Sequence, residues 1–140
     1  MGLVGTLGSG KTTFAQSLAH SLGVDREDVT SPTFNLLSSY TGQAAGSPRQ
    51  LHHLDAYRIA DEDEFLELGG EELFEASDSW ILIEWADRVE SVMPVNTLWI
   101  TIELDDGDAA SPETLPPETQ SRRITLATES SSLGKCLDLM

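Results

Sequence analysis

The sequence Gly5-Thr6-Leu7-Gly8-Ser9-Gly10-Lys11-Thr12 matches the pattern G-x-x-x-x-G-K-[ST] at every position. Its glycines let the backbone curl so that several N–H groups converge on one anion. The apolar residues 1–4 before it predict the end of a buried strand, and Phe14, Leu18 and Leu22 recur at helical spacing after it. A strand, a glycine-rich loop and a helix in this order are typical of a phosphate-binding loop.

The residue types of this loop predict a nucleotide site. The helix that begins near Lys11 adds the positive end of its dipole. The Lys11 ammonium can reach the β- and γ-phosphates, and the Thr12 hydroxyl can ligate Mg²⁺. We therefore expect ATP or ADP together with Mg²⁺ as cofactors. The residues expected to bind the nucleotide from this segment are Gly5, Thr6, Leu7, Gly8, Ser9, Gly10, Lys11, Thr12 and Thr13.

Two acidic residues follow strand-like segments and are candidates for the metal side of the site. Such a carboxylate is expected at the C-terminal end of a strand next to the loop. The apolar run Trp80-Ile81-Leu82-Ile83 leads into Glu84, which makes Glu84 the better candidate. Asp55 follows the more polar residues 51–54, and we expect it to contact the metal or to orient the attacking water. Which of the two carboxylates touches the metal directly stays open, as does the alternative that either is a solvated acid.

Four further residues have more than one possible role. Thr33 could supply a second hydroxyl to Mg²⁺ or to the γ-phosphate, although such a segment is often only a turn. Trp85 could cover a base or a partner, or could pack in the core. His52 and His53 are adjacent, so within a strand they face opposite ways and cannot form one metal site.

The remaining pattern predicts an α/β domain whose mixed, mostly parallel sheet is flanked by helices. Further strands are predicted at residues 34–40, 51–57, 79–85, 97–104 and 122–127, and helices at 12–22 and at 61–76 with a break at Gly69-Gly70. Residues 42–48 are predicted as a loop from their composition. The last two strands have no helix between them and predict an antiparallel edge. We expect one domain over residues 1–128, with a mobile acidic loop at 105–121 and a C-terminal tail at 129–140.

Composition limits the classes of function. The 140 residues contain 8 basic and 24 acidic side chains, which gives a net charge of −16. Because nucleic-acid binding depends on clustered Lys and Arg, autonomous binding to nucleic acid is disfavoured. The longest apolar runs are far shorter than a membrane span, and the single cysteine, Cys136, excludes an intramolecular disulfide. We therefore expect a cytoplasmic protein with no membrane partner.

Five motifs in this order resemble the TsaE (YjeE-type) family of bacterial ATPases over roughly the first 123 residues. They are Gly5 to Thr12, Ser31-Pro32-Thr33-Phe34, His53-x-Asp55-x-Tyr57-Arg58, Glu67-Leu68-Gly69 and Glu84-Trp85. The phosphate loop is generic, whereas the later motifs in combination are specific. The resemblance implies a fold similar to the P-loop NTPases and a small ATPase with weak activity alone. It also implies that the protein acts with TsaB and TsaD to make threonylcarbamoyladenosine on tRNA, so that tRNA is contacted only indirectly.

The resemblance also implies residue roles. The residues matching Thr12 and Glu84 serve Mg²⁺, and the one matching Asp55 is needed for hydrolysis, so that Lys11, Asp55 and Glu84 form the expected catalytic set. Thr33 falls in a switch-like segment and Trp85 next to the nucleotide, and Arg123 matches a late arginine near the nucleotide. Family members carry a longer segment ahead of the loop, where this sequence has four residues, and often an acidic residue where Thr6 stands.

Two other functions stay open from the residues. A small P-loop kinase would begin with the same loop, but such enzymes carry arginines in a lid over the transferred phosphoryl group. The six arginines here are scattered apart from Arg122-Arg123. A nucleotide-binding scaffold without catalysis would bind ATP and fail to hydrolyse it even with partners present.

Overall fold

One mixed sheet forms the frame of the molecule. The computed structural model describes residues 1–32, 35–75, 79–105 and 121–131. The strands in these ranges are β1 (Gly2–Val4), β2 (Leu37–Ala44), β3 (Ser47–Asp55), β4 (Ser79–Glu84), β5 (Trp99–Leu104) and β6 (Arg122–Ala127). The helices are α1 (Lys11–Ser21), α2 (Glu62–Glu67) and α3 (Gly70–Glu75), and 3-10 helices lie at Arg26–Asp28, Ala56–Arg58 and Ala86–Val92.

The strand order is β2-β3-β4-β1-β5-β6. The four inner strands β3, β4, β1 and β5 run parallel, so their carboxyl ends meet at one edge of the sheet. The outer strands are antiparallel to their neighbours, β6 to β5 and β2 to β3. The predicted mixed, mostly parallel sheet with an antiparallel edge is confirmed, and β2 adds a second antiparallel edge.

The central strand β4 separates two apolar clusters. Leu82 is fully buried and packs with Leu3 of β1 and with the inner face of α1. Ile83 points the other way and packs with Ile59 and with Phe65 of α2. A strand covered on both faces has a continuous apolar sequence instead of an alternating one. This double burial explains the uninterrupted apolar run that predicts a strand at residues 79–85.

The prediction of a loop at residues 42–48 was wrong, because these residues belong to a hairpin formed by β2 and β3. β2 extends to Ala44 and β3 begins at Ser47, so that only two residues connect them. Those two, Ala45 and Gly46, have φ angles of 50° and 79°. Left-handed geometry at both central residues is what a tight two-residue hairpin requires, because it matches the twist of the paired strands. The small and turn-forming residues around Gly46 concealed the strand pairing.

The other predicted elements agree with the structure more closely. Helix α1 and strands β4 and β6 match their predicted ranges to within about a residue, and α2 and α3 are separated at the predicted break. Most of the predicted acidic loop and of the predicted tail lies outside the described residues, so the domain boundaries stay a prediction. No helix within the described ranges has the length and apolar character needed to cross a membrane.

The double burial of β4 leads to a stability prediction. Leu82→Ala should lower the free energy of unfolding by about 3 kcal/mol, because it removes buried methyl groups and leaves a cavity between β4 and α1. Leu68→Ala, at a side chain that is 56% exposed, should change it by less than about 1 kcal/mol. Urea unfolding of both variants measures the difference. Equal losses would show that β4 is not the centre of the core.

Candidate functional site

The loop between β1 and α1 is shaped by glycines. Gly5 and Gly10 have φ angles of 153° and 110°, which side-chain-bearing residues rarely adopt. A Cβ at Gly5 would also overlap the carbonyl oxygen of Ile102 on β5, so the loop starts hard against the neighbouring strand. The loop ends at the first turn of α1, where unpaired N–H groups and the helix dipole favour an anion.

The Lys11 side chain is folded back onto this loop. Its ammonium donates to the carbonyl oxygens of Gly5 at 2.7 Å and Thr6 at 2.9 Å. It also lies 3.7 Å from the centroid of the Trp85 ring, in a cation–π contact. Burial lowers the pKa of Lys11 below its ordinary value, while the nearby carboxylates, Glu84 first among them, act in the opposite direction. Lys11 is therefore a desolvated cation whose present partners are neutral dipoles and a π-face.

Glu84, at the end of β4, contacts both helix α1 and strand β3. Its Oε2 accepts a hydrogen bond from the Thr12 hydroxyl at 3.1 Å, and its Oε1 lies 2.9 Å from Nε2 of His53. Glu84 is 2% exposed and His53 is fully buried. The Thr12 hydroxyl and the Glu84 carboxylate thus converge from α1 and from the end of β4.

This pair of oxygen donors fits Mg²⁺ shared with phosphate groups. Mg²⁺ prefers oxygen ligands and usually keeps waters and substrate phosphates in its shell instead of an all-protein cage. In the part of the chain that the structure describes, no group of three or more His, Cys, Asp and Glu side chains could hold a metal ion by itself. Thr12 and Glu84 could therefore hold a magnesium ion only together with a bound phosphate.

Asp55 lies beside Glu84 at the same edge of the sheet, because β3 and β4 pair in parallel with these two residues in register. It is 3% exposed. Its Oδ2 accepts from the Ser31 hydroxyl at 2.9 Å and its Oδ1 from the Tyr57 backbone N–H at 2.9 Å. Asp55 therefore anchors the segment before β2 and the turn after β3.

These groups border a cleft of about 510 Å³. Its lining consists of the loop and first turn of α1, the two carboxylates and an aromatic wall. The residues are Leu7, Gly8, Gly10, Lys11, Thr12, Thr13, Ser31, Asp55, Tyr57, Glu84 and Trp85. A second cleft of about 590 Å³ lies on the other side of Gly5, Thr6 and Trp85, toward Thr101 to Leu104 of β5. Trp85 lines both clefts and forms part of the boundary between them.

The Trp85 ring is held in place by an uncommon backbone conformation. Its φ of 58° and ψ of 38° are left-handed, and a bulky residue rarely adopts them. The ring centroid lies 5.1 Å from that of Tyr57, and the Arg88 guanidinium lies 5.7 Å from the Tyr57 ring. This backbone conformation ends β4 abruptly and directs the indole across the cleft instead of along the strand. Strain of this kind concentrates at functional sites.

The structure brings together most of the predicted site residues. Lys11, Thr12, Asp55, Glu84 and Trp85 line one cleft, with Thr13 at its exposed margin. In the loop, Leu7 is 82% exposed, whereas the Ser9 side chain is buried. Thr33 lies outside the described residues, so its role stays a prediction.

Arg123 does not line the cleft, and its role toward the nucleotide stays a prediction. Its guanidinium is exposed and lies 3.7 Å from Asp105. The neighbouring Arg122 is the residue that reaches the loop, since its Nε donates to the Ser9 carbonyl at 3.3 Å. Successive side chains of a strand point to opposite faces, so a shift of one residue decides which arginine meets α1 and the loop.

His53 contacts the site through Glu84, and this contact was not predicted from the sequence. Two adjacent histidines were correctly predicted to face opposite ways, since His52 contacts Ser39 on the more open face. That argument excluded a shared metal site and left His53 without a role. The spacing His53-x-Asp55 contained the signal, because alternate residues of one strand share a face.

Fold and site together place the chain among α/β proteins in which a glycine-rich loop joins a central parallel strand to the N-terminus of a helix. A family model described as "Threonylcarbamoyl adenosine biosynthesis protein TsaE" matches residues 1–111. The chain belongs to the TsaE family, which confirms the resemblance read from the motifs.

Several individual proteins are similar to this chain. A Treponema pallidum protein named tRNA threonylcarbamoyladenosine biosynthesis protein TsaE is 39% identical over 76% of this chain and 74% of its own length. A Bacillus subtilis protein of the same name is 40% identical over 72% of this chain and 59% of its own length. The crystal structure of Bacillus subtilis YdiB superposes with a TM-score of 0.65 at 29% identity, over 99% of this chain and 74% of that one.

The left-handed backbone of Trp85 can be tested separately from its ring. Trp85→Gly and Trp85→Ala both remove the indole, but only glycine adopts this conformation without cost. We expect the glycine variant to be more stable than the alanine variant by about 1 kcal/mol. Urea unfolding of the two proteins measures this difference. An alanine variant as stable as the glycine variant would mean that residue 85 is not strained.

The contact between Arg122 and Ser9 predicts a change in the loop. Arg122→Ala removes a charge-assisted hydrogen bond worth about 1 kcal/mol, so amide hydrogen exchange in residues 5–10 should become about fivefold faster. Arg123→Ala is the matched control, because it removes an exposed ion pair of little energetic value. Exchange measured by mass spectrometry should show the difference. Equal exchange rates in the two variants would show that Arg122 does not stabilise the loop.

Proposed function

We propose that this chain binds ATP with Mg²⁺ at the glycine-rich loop and hydrolyses it in support of threonylcarbamoyladenosine synthesis on tRNA. The observation that carries the proposal is the convergence of Lys11, Thr12, Asp55 and Glu84 on one cleft at the carboxyl edge of the parallel strands. Membership of the TsaE family and the names of the relatives supply the biological process.

Phosphate binding would use the backbone first. The loop N–H groups and the start of α1 attract the phosphate oxygens. The Lys11 ammonium would exchange its two carbonyl partners, Gly5 and Thr6, for phosphate oxygens. Since a desolvated cation gains more from an anion than from neutral carbonyls, this exchange is favourable.

The cation side would use the Thr12 hydroxyl and the Glu84 carboxylate. Mg²⁺, when bound, neutralises phosphate charge and orients the phosphoryl group. Asp55 is the residue suited to orient the attacking water, because it is a buried carboxylate beside Glu84 whose position is fixed by Ser31 and the Tyr57 amide.

Weak turnover of the isolated chain follows from the charges in the cleft. Among the described lining residues, Lys11 carries the sole basic side chain. Fast phosphoryl transfer in related folds uses a further positive group, often an arginine supplied in cis or by a partner. We therefore propose that TsaB and TsaD stimulate hydrolysis, and that tRNA is reached through them because the chain has a net charge of −16.

The same lining argues against a kinase. Kinases that transfer a phosphoryl group to a small acceptor cover it with several positive side chains, and the described cleft offers one. A cytoplasmic location is the expected setting for tRNA modification and stays a prediction.

Calorimetric titration with Mg²⁺–ATP tests the binding step. Lys11→Ala should weaken ATP binding by about tenfold or more, because it removes the cation that faces the phosphates. Arg26→Ala is the matched control, because it removes one positive charge at an exposed position that does not line the cleft and should not affect binding. Saturable binding by the parent chain that is equally strong in the Lys11 variant would contradict the proposed site.

The same proteins then test hydrolysis and the process. Phosphate release should be slow alone and rise when TsaB and TsaD are added, and cells carrying Lys11→Ala should lose threonylcarbamoyladenosine from tRNA. Binding without hydrolysis in the presence of both partners would favour the non-catalytic scaffold. A phosphorylated small acceptor would favour the kinase.

A further inference from the structure

We infer that His53 is a positioning residue for the cation side of this site. It holds one oxygen of Glu84 and leaves the other beside Thr12. The inference rests on the proposed function, because the cation it concerns is the Mg²⁺ that accompanies the nucleotide.

The hydrogen bonds of Glu84 divide its two oxygens between different partners. Oε1 lies 2.9 Å from Nε2 of His53, and Oε2 lies 3.1 Å from the Thr12 hydroxyl. His53 is fully buried and Glu84 nearly so. A buried carboxylate with both oxygens engaged cannot rotate without losing one of these hydrogen bonds.

The surroundings of the His53 ring favour a hydrogen on Nε2 over one on Nδ1. Its Nδ1 is buried and has no hydrogen-bond partner among the described residues. A hydrogen on Nδ1 would therefore be an unsatisfied buried donor, whereas a hydrogen on Nε2 is accepted by Glu84. The ring therefore acts as a donor toward Glu84 through Nε2.

The hydrogen bond from His53 matters because the Lys11 ammonium also attracts the Glu84 carboxylate. The Lys11 ammonium belongs to the same cleft, and its charge attracts any carboxylate oxygen that is free to turn. A Glu84 oxygen that turned to Lys11 would be removed from the cation and would hold Lys11 away from the phosphates. Residues behind a metal ligand commonly prevent such rotation, and their loss weakens metal binding by about 10- to 100-fold.

The strand that carries His53 places it beside the reacting groups and supplies a control. His53 and Asp55 are two residues apart on β3 and share one face, whereas His52, one residue before His53, points to the other face and contacts the Ser39 hydroxyl at 2.8 Å. His52 and His53 are therefore the same residue type, adjacent in sequence, with only one of them joined to Glu84.

The experiment compares ADP binding by calorimetry in EDTA and in excess Mg²⁺, for the full chain and four variants. ADP avoids turnover, and the gain in affinity on adding Mg²⁺ reports the cation side alone. His53→Gln keeps a side-chain nitrogen near the position of Nε2, whereas His53→Asn is polar but too short and His53→Leu cannot donate. His52→Leu is the control on the other face.

We expect unchanged ADP affinity in EDTA for all variants, and a Mg²⁺-dependent gain that falls about tenfold in His53→Leu and His53→Asn. His53→Gln should keep most of the gain, and His52→Leu all of it. If His53→Leu does not fold, the Asn and Gln variants still make the comparison.

Three results would overturn the inference while leaving the proposed function intact. They are a full Mg²⁺ gain in both His53→Leu and His53→Asn, a loss of ADP affinity that is the same in EDTA and in Mg²⁺, and a His53→Gln variant no better than His53→Asn. Absence of ADP binding by the parent chain would instead overturn the proposed function, and the role of His53 with it.

Discussion

The parallel pairing of β4 with β1 on one side and β3 on the other is the constraint on which the site depends. In this pairing Glu84 lies opposite Leu3 and Asp55, so the loop that follows β1 and both carboxylates meet at one edge. Because side chains alternate along a strand, a shift of one residue in either register would turn one carboxylate to the opposite face. The two apolar clusters, one on each face of β4, hold that register.

The electrostatics of the site follow from this crowding. Two buried carboxylates and a buried lysine occupy one cleft in a chain whose net charge is −16. Each carboxylate accepts hydrogen bonds, Glu84 from Thr12 and His53, and Asp55 from Ser31 and the Tyr57 amide. Lys11 in turn is satisfied by carbonyls and an indole face. Lys11 and the two carboxylates thus hydrogen-bond to other groups of the protein instead of to one another in the described contacts.

Some of this arrangement could be predicted from sequence and some could not. The loop and β4 were predictable because a fixed glycine pattern and an uninterrupted apolar run each have one physical interpretation. The β2–β3 hairpin was not, since Ala45-Gly46 and its neighbours have the composition of a loop. The choice between Arg122 and Arg123 depended on the phase of an exposed strand, which has no apolar pattern to fix it. The role of His53 required knowing that the face it shares with Asp55 is the buried one.

The exposure of β6 affects how rigidly the glycine-rich loop is held. Every residue of this strand is exposed, and within the described residues it pairs with β5 and with no other strand. Segments with so little burial open locally at a small free-energy cost, well below that of global unfolding. The strand whose Arg122 supports the outer side of the loop is therefore also a strand that can fray while the rest of the sheet stays folded. Fraying of β6 would release the Ser9 carbonyl from Arg122, so the rigidity of the loop depends on the pairing of β6 with β5.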